Sequence, residues 1–553
     1  MPVVNLFIDK LAQFFPGKDL GEMLEALPYV GLDIESVDSH VIRIEYNPNR
    51  PDFSIDYGIT RALRGLLEIE TGIPKFRMSK NKGVYTIDVD KSVDKIRPYI
   101  VALVAKHGKL NKGIFEQLIA MQEDLHNGIG RRRLKASIGF HNLEPIKFPL
   151  TYKTVGEDFS FIPLGKSNAH TIREILEIFD TVKDYKDALK QTNEFPLLVD
   201  AENNVISFPP IINSNLTRMN PTANNLFVEV TGRDRNAVEN LLAILAMTLY
   251  EMSFEIQAVY VDYLELGKKI STPIMNPAYM NVRPSYINNI LGLNLNTRQI
   301  LRCLRKNRLG AKVQSQGNIR CTIPRYRTDI LHPIDLVEEV AIGHGIDNFI
   351  PAMPFSNIAG QKSALSIYFD VLRQAMVGLG MLEVVNFSLV GSKVQYELMG
   401  IDKPDKILSV EGSKSIQHEI LRDSLIPSLL QSLSFNIHEG YPQKLFELGK
   451  IFRWSANEIR EDWSIGAVIA HNNADYTEAR SVMQTMLKSS FGKNVTTRAS
   501  KNPIFINGRC AEILVDNIAV GNIGEITPLA IENFRIRVPV SAFELNISQL
   551  PLA

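Results

Sequence analysis

Cysteine is scarce in this sequence: Cys303, Cys321 and Cys510 are all there is, and they lie far apart. Without a paired thiol spacing, a disulfide scaffold and a thiolate zinc site are both excluded, and a reducing compartment is expected. Excess charge of either sign is also missing, since Lys+Arg and Asp+Glu both total 61. A polyanionic partner would have to be met by local basic patches. No apolar run approaches bilayer length; the longest candidate, LLAILAMTLY (Leu241–Tyr250), is too short and reads as a buried helix. The start, MPVVNLFIDKLAQFFPG, has no basic leader followed by a long apolar stretch. Low-complexity tracts and short repeats are absent, which removes solenoids and tails. The expectation is a cytoplasmic protein with no membrane partner.

What is present is an ordinary globular composition, 45% hydrophobic and 22% charged over 553 residues. That length suits roughly three to five domains. VIRIEYNPNRPDF (Val41–Phe53) reads as a strand and a Pro-rich turn, and DYGITRALRGLLEIETGI (Asp56–Ile73) as a helix ending near Gly72 and Pro74. YIVALVAK (Tyr99–Lys106) reads as a strand, and FPLLVDAENNVISFP (Phe195–Pro209) as a hairpin with Glu202–Asn204 at its tip. TGRDRNAVENLLAILAMTLYEM (Thr231–Met252) reads as one long helix. A compact module follows: SYINNILG, then a helix capped at Asn296 or Thr297 and stopped near Gly310, then a hairpin turning at Gln316–Asn318. From Phe355 onward a further α+β domain is expected. The pattern predicts an α+β multidomain chain.

The stretch RYRTDILHPIDLVEEVAIGHGID (Arg325–Asp347) raises a chemical question. His332 suits a cap, Pro333 the first helical position, and Leu336, Val337, Val340 and Ala341 an apolar stripe. Asp335, Glu338 and Glu339 fall at i, i+3 and i+4 on the opposite face, with Asp329 upstream. On spacing alone two readings stand. One is a solvated acidic helix start favoured by the dipole. The other is a carboxylate group gathered around a cation, for which hard oxygen ligands would select Mg²⁺ or Ca²⁺.

The order D-x5-D-x2-E-E followed by GHGIDNFIP resembles the metal-binding module in the β subunit of phenylalanyl-tRNA synthetase. That resemblance places Mg²⁺ ligands on Asp329, Asp335, Glu338 and Glu339. NPNRPDFSIDYGITRALRGLL (Asn47–Leu67) is similar to the start of the archaeal and eukaryotic form of that subunit. NGIGRRRLKASIGFHNL (Asn127–Leu143) and ISFPPIINSN (Ile206–Asn215) resemble its editing domain. LRDSLIPSLLQSLSFNIHEGYPQKLFELGKIF (Leu421–Phe452) and NGRCAEILVDNIAVGNIGEITP (Asn507–Pro528) resemble its catalytic-like domain. Nothing resembles the tRNA-recruiting OB module or anticodon-binding module of bacterial β subunits.

The resemblance implies four parts: an N-terminal α/β module at 1–78, a mixed α/β editing domain at 83–268, a small helix-hairpin-helix metal-binding module at 271–352, and a degenerate class II synthetase-like antiparallel sheet domain at 358–553. An editing wall is expected from Pro209, Pro210, Ile211 and Asn213, with His141 and Asn142 nearby. The SFPPII segment reads equally as a rigid strand edge. Editing is physically expected of such a system, because an apolar pocket rejects an added hydroxyl by only about a hundredfold. Arg131, Arg132 and Arg133 suit tRNA phosphate contact or a solvated loop, and Arg302, Arg305, Lys306 and Arg308 form a similar basic face.

Class II synthetases handle ATP with an F-R-x-E signature and a Gly-rich signature closing on Arg. KLFELGKIFRWS keeps Phe452 and Arg453 but has Ser455 at the Glu position, and RVPVSAFELNISQL has neither the glycines nor the closing arginine. Adenylate chemistry on this chain is therefore not expected. The resemblance implies a partner, a catalytic α subunit in an α2β2 heterotetramer that uses ATP to join phenylalanine to tRNA(Phe). The rivals are a free-standing mischarged-tRNA hydrolase and a non-enzymatic RNA-binding scaffold.

Overall fold

The computed structural model describes residues 2–80, 83–178, 193–263, 267–354, 358–455 and 458–550. The chain forms two compact units, Met1–Met353 and Pro354–Ala553.

The first unit begins with a three-stranded antiparallel sheet whose central strand, Val41–Tyr46, lies between Val3–Phe7 and Leu32–Val37. Alternate residues Ile42, Ile44 and Tyr46 point inward, as a period-two strand requires. They pack on Leu6, Leu27, Ile59 and Leu63, the last two from the helix Asp56–Leu66. That helix stops short of the expected Ile73. The chain turns at Glu68 in the left-handed region, and the Gly72 amide donates to the Arg305 carbonyl at 2.7 Å. A long-range bond thus replaces two further helical turns.

An eleven-stranded mixed sheet follows. Glu255–Tyr263 lies near its centre, antiparallel to Tyr99–Lys106 and parallel to Thr86–Val89. Met78–Ser79 and Lys268–Thr272 also join this sheet, so its edges reach into both sequence boundaries proposed around it. The hairpin forms from Glu194–Val199 and Val205–Phe208, with Asn203 at positive φ in its tip. The long helix begins at Arg235, capped by Asp234, because Thr231 and Gly232 still pair with Tyr99 and Ile100. Its segment Leu241–Leu249 is buried throughout, which explains the apolar run.

Next comes a three-stranded sheet, Ala278–Val282, Ile319–Ile323 and Gly310–Val313, packed with helices Pro284–Leu291, Thr297–Lys306 and Pro333–His344. Asn296 caps the middle helix in a reciprocal box with Gln299. Gly343 permits the close crossing of two helices; a Cβ there would lie 2.4 Å from the Cys303 carbonyl oxygen.

Arg61 ties these three parts together. Its guanidinium lies 3.0 Å from Asp52, 2.6 Å from Glu251 at the end of the long helix, and 3.9 Å from the ring centre of Tyr326. Arg61 and Asp52 are buried. Burial alone would raise the Asp52 carboxyl, but Arg50 and Arg61 outweigh it and hold it at about 2.

The second unit is built on a seven-stranded sheet in the order Leu382–Glu383, Gln443–Ser455, Glu458–Ala470, Val540–Asn546, Ile518–Ile526, Phe505–Val515 and Val495–Ala499. Every neighbouring pair is antiparallel except the first. Phe446, Leu448, Ile465 and Ala467 face helices Ala364–Gly378 and Tyr476–Phe491. Leu445, Val468 and Ala470 face helix Ile426–Phe435. Among the described residues no helix is long and apolar enough to cross a membrane.

Because the Asp52 carboxyl is held below its unfolded value near 4, its stabilisation is complete above pH about 4 and is lost as pH falls toward about 2. Asp52→Asn is expected to cost about 2 kcal/mol at neutral pH and to flatten the dependence of stability on pH across that window. Urea unfolding of both proteins at pH 7 and pH 3 measures this.

Candidate functional site

A cleft of about 750 Å³ opens in the eleven-stranded domain. One wall is the turn after strand Val205–Phe208, where Pro209, Pro210, Ile211 and Asn213 line the cleft. The opposite wall is helix Lys112–Asn127, capped by Asn111, through Phe115, Ile119 and Gln122. Ser137, Ile138 and Phe140 from strand Ala136–Asn142 complete it, with Glu229.

His141 and Asn142, expected beside that wall, do not line the cleft. The His141 ring is wholly buried behind it, covered by Phe227 at 5.8 Å between ring centres. Its Nδ1 is 2.9 Å from Thr217 Oγ1, and its Nε2 is 3.9 Å from Glu229 Oε1. Thr217 and Glu229 are themselves cleft residues, so His141 supports the lining from one layer behind. Asn142 is spent on the following turn, where its Oδ1 accepts from the Glu144 amide at 3.2 Å.

Glu229 was not anticipated. It is buried in strand Leu226–Gly232, where its Oε1 accepts from Ser207 Oγ at 3.0 Å and its Oε2 has no hydrogen-bond partner among the described residues. Gly139, directly opposite in register, leaves the room this carboxylate occupies, since a Cβ there would fall 2.5 Å from Oε1. The signal available in LFVEVTG is a single charge inside an otherwise apolar strand, which cannot be solvated and so needs a partner or a ligand.

The arginine run is divided between two roles. Arg131, Arg132 and Arg133 all have positive φ, 50°, 52° and 61°, a conformation costly for side chains with a Cβ. This turns Arg133 inward, where it donates to the carbonyls of Pro210 at 3.1 Å and Ile211 at 3.3 Å and pairs with Glu123 at 2.8 Å. Arg133 therefore braces the cleft wall, while Arg131 and Arg132 are exposed. Beneath the turn, buried Arg97 donates to the Arg133 carbonyl at 3.2 Å and to Thr231 and Ser137. Burial lowers its guanidinium to about 10. The second basic face is also spent internally: Arg302 and Lys306 pair with Glu68, and Arg308 with Glu70.

In the acidic helix, Arg327 is the positive charge the carboxylates meet. Buried Arg327 pairs with Asp329 at 2.6 Å and with Glu339, holding both from the same side. Asp335 instead caps the chain, its Oδ2 accepting from the amides of Leu331 and His332 at 2.7 Å each. Glu338 is exposed on the face. Partial desolvation, and then the charges of Glu339, Asp335 and Asp329, push its carboxyl up. Among the described residues no group of three or more His, Cys, Asp or Glu side chains is arranged to hold a metal. The donor chemistry suits a hard divalent cation, yet as placed these oxygens are committed to Arg327 and to backbone amides.

In the second unit Arg453 donates through Nε and Nη2 to the Asp423 carbonyl at 3.1 and 2.9 Å, and the strand ends at exposed Ser455.

Comparison with known proteins places the chain in the aminoacyl-tRNA synthetase class. Residues 350–547 match the family model described as phenylalanyl tRNA synthetase beta chain CLM domain, and residues 280–346 match the tRNA synthetase B5 domain. The phenylalanine--tRNA ligase beta subunit of Archaeoglobus fulgidus is 38% identical over 99% of this chain and 98% of its own length. That of Methanococcoides burtonii is 34% identical over 99% and 100%. An N-terminal fragment of the Pyrococcus horikoshii phenylalanyl-tRNA synthetase beta subunit superposes with TM-score 0.58 at 30% identity, covering 62% of this chain and 99% of the fragment. The chain belongs to the phenylalanine–tRNA ligase beta-subunit family.

Removing Arg327 leaves Asp329 and Glu339 facing each other without their counter-charge. Arg327→Met is expected to destabilise the first unit by about 3–5 kcal/mol, the usual cost of breaking a buried ion pair on one side. Chemical denaturation against the parent protein checks it.

Proposed function

We propose that this chain serves phenylalanyl-tRNA synthesis as the β subunit of an α2β2 holoenzyme, contacting tRNA(Phe) and hydrolysing mischarged tyrosyl-tRNA in the cleft of the first unit. The observation that carries the editing reading is the unpartnered Oε2 of Glu229 in a largely apolar cleft. A tyrosyl side chain brings a phenolic O–H that this carboxylate accepts, whereas a phenylalanyl side chain leaves the buried charge unmatched. Sites built to bond a hydroxyl reject the analogue lacking it by about 10⁴–10⁵-fold. Gln122, Asn213 and Asn220 offer further polar groups for the aminoacyl ester. Exposed Arg131 and Arg132 suit the phosphates of the tRNA end.

Activation of phenylalanine with ATP belongs to the α partner in this reading. Support for such a partner comes from the second unit, where Leu382, Val385, Phe387 and Phe435 are exposed at 65%, 86%, 76% and 75%. Apolar exposure on this scale marks an interaction surface. A cytoplasmic location follows from the reaction served.

Mg²⁺ is carried as a proposal on charge alone: Asp329, Asp335, Glu338 and Glu339 exceed Arg327 by three negative charges. Bound there, the ion would neutralise this face and stiffen the helix start. The double change Asp335→Asn with Glu338→Gln is expected to lower Mg²⁺ content to the background of a metal-free control and to lower the Tm. Unchanged metal content and Tm would leave Arg327 as the sole counter-charge.

For editing, Glu229→Gln in the holoenzyme is expected to slow tyrosyl-tRNA deacylation about a hundredfold or more while phenylalanylation of tRNA(Phe) is retained. Deacylation at the parental rate in a folded Glu229→Gln holoenzyme would reject the assignment. Full deacylation by the chain without its partner would favour a free-standing hydrolase.

A further inference from the structure

The second unit has its own cleft, about 510 Å³, on the sheet face covered by helix Ile426–Phe435. Neither the editing reading nor the loss of nucleotide handling gives this cleft a role. Its lining is unusually rich in acceptors. Gln395 is 1% exposed, and its amide is oriented by Nε2 donating to Asp423 Oδ1 at 2.6 Å. The orientation leaves Oε1 as the free end, buried and without a partner among the described residues. Asn546, 8% exposed on strand Val540–Asn546, likewise has its Oδ1 unpartnered. Buried acceptors left unpaired are costly, so two in one cleft call for donors from outside the chain.

Charge narrows the choice of donor. Asp402, Asp423, Glu512 and Glu544 line the cleft, and of these Glu512 is paired with Arg498. Asp423 accepts from Tyr396 Oη at 3.0 Å, and Glu544 from Ser424 Oγ at 2.5 Å, the Leu425 amide at 3.0 Å and Ser464 Oγ at 3.1 Å. These are neutral donors; burial pushes the Glu544 carboxyl up, against the Ser424 hydroxyl and the Arg453 charge, so Asp423 and Asp402 carry the firmer negative charge. Among the described residues Arg453 is the one Lys or Arg in the lining; it is exposed, and its guanidinium donates to a backbone carbonyl. The cleft therefore carries surplus negative charge beside vacant acceptor oxygens. A triphosphate would meet four carboxylates and one cation, whereas an ammonium brings three donors, no acceptor and the opposite charge. Met399, Ile426 and Ile451 supply apolar surface for the body attached to it.

We propose that this cleft binds a small organic amine in its ammonium form, held by Gln395 Oε1 and Asn546 Oδ1 in the field of Asp402 and Asp423, with its apolar body against the helix Ile426–Phe435.

The test is calorimetric titration of the full chain with phenethylamine and isoamylamine, against N-acetylphenethylamine, phenylacetate and Mg·ATP. Saturable one-to-one binding of at least one amine is expected, with at least tenfold weaker binding of the acetylated, anionic and nucleotide probes. Ala519→Trp, placed at an exposed lining position, is expected to abolish amine binding with the circular dichroism spectrum unchanged. Asn546→Leu, which removes one acceptor, is expected to weaken it at least tenfold. The Ala519→Trp result also separates this cleft from the one in the first unit, which that change does not touch. Absence of saturable binding by both amines would overturn the proposal, as would equal affinity for the acetylated or anionic probes. Amine binding unaltered by Ala519→Trp in the folded protein would overturn it as well.

Discussion

Buried guanidinium groups set the terms for the first unit. Arg61 has to be neutralised away from water, and its partners come from two separate segments, Asp52 and Glu251, with Tyr326 from a third covering its face. An unpaired charge in that position would be strongly destabilising, so the three segments are obliged to meet around it. Neighbouring glycines show how closely they do so. A Cβ on Gly58 would fall 1.7 Å from the Asp52 carbonyl oxygen, and one on Gly65 would fall 2.1 Å from that of Lys306. Arg327 repeats the device in the acidic module, and Arg97 does so with hydroxyls and carbonyls beneath the cleft.

The same economy of charge distinguishes the two clefts. In the first unit Glu123 is paired with Arg133, while buried Glu229 keeps one oxygen without a partner among the described residues. In the second, Asp402, Asp423, Glu512 and Glu544 line a space whose described lining has Arg453 as its one basic side chain. Both follow from what a buried oxygen requires of its surroundings.

Much of the fold was legible because burial imposes periodicity. The strand Tyr99–Lys106, the hairpin with its tip near Asn203, the Asn296 cap and the His332–Pro333 helix start all formed where spacing and cap chemistry placed them. Boundaries moved where distant segments intervened. The helix from Asp56 was shortened by the Gly72–Arg305 bond, and the helix at Arg235 was delayed by strand pairing through Gly232. In the cleft, Pro209, Pro210, Ile211 and Asn213 were recognisable from their segment, whereas His141 proved to be one layer behind them and Glu229 was passed over.

Residue order alone carried the family resemblance and the local elements, because each is written in contiguous residues: ordered motifs, caps and alternation. Only the tertiary structure decided which charges face one another. Arg327 and Glu339 lie twelve positions apart, Arg61 and Glu251 far more, and Glu229 meets Gly139 only through strand register. Spacing along one helix showed that carboxylates were gathered. It could not show that a guanidinium from another segment was already among them, since electrostatic partners are chosen by distance in space and by exclusion of water.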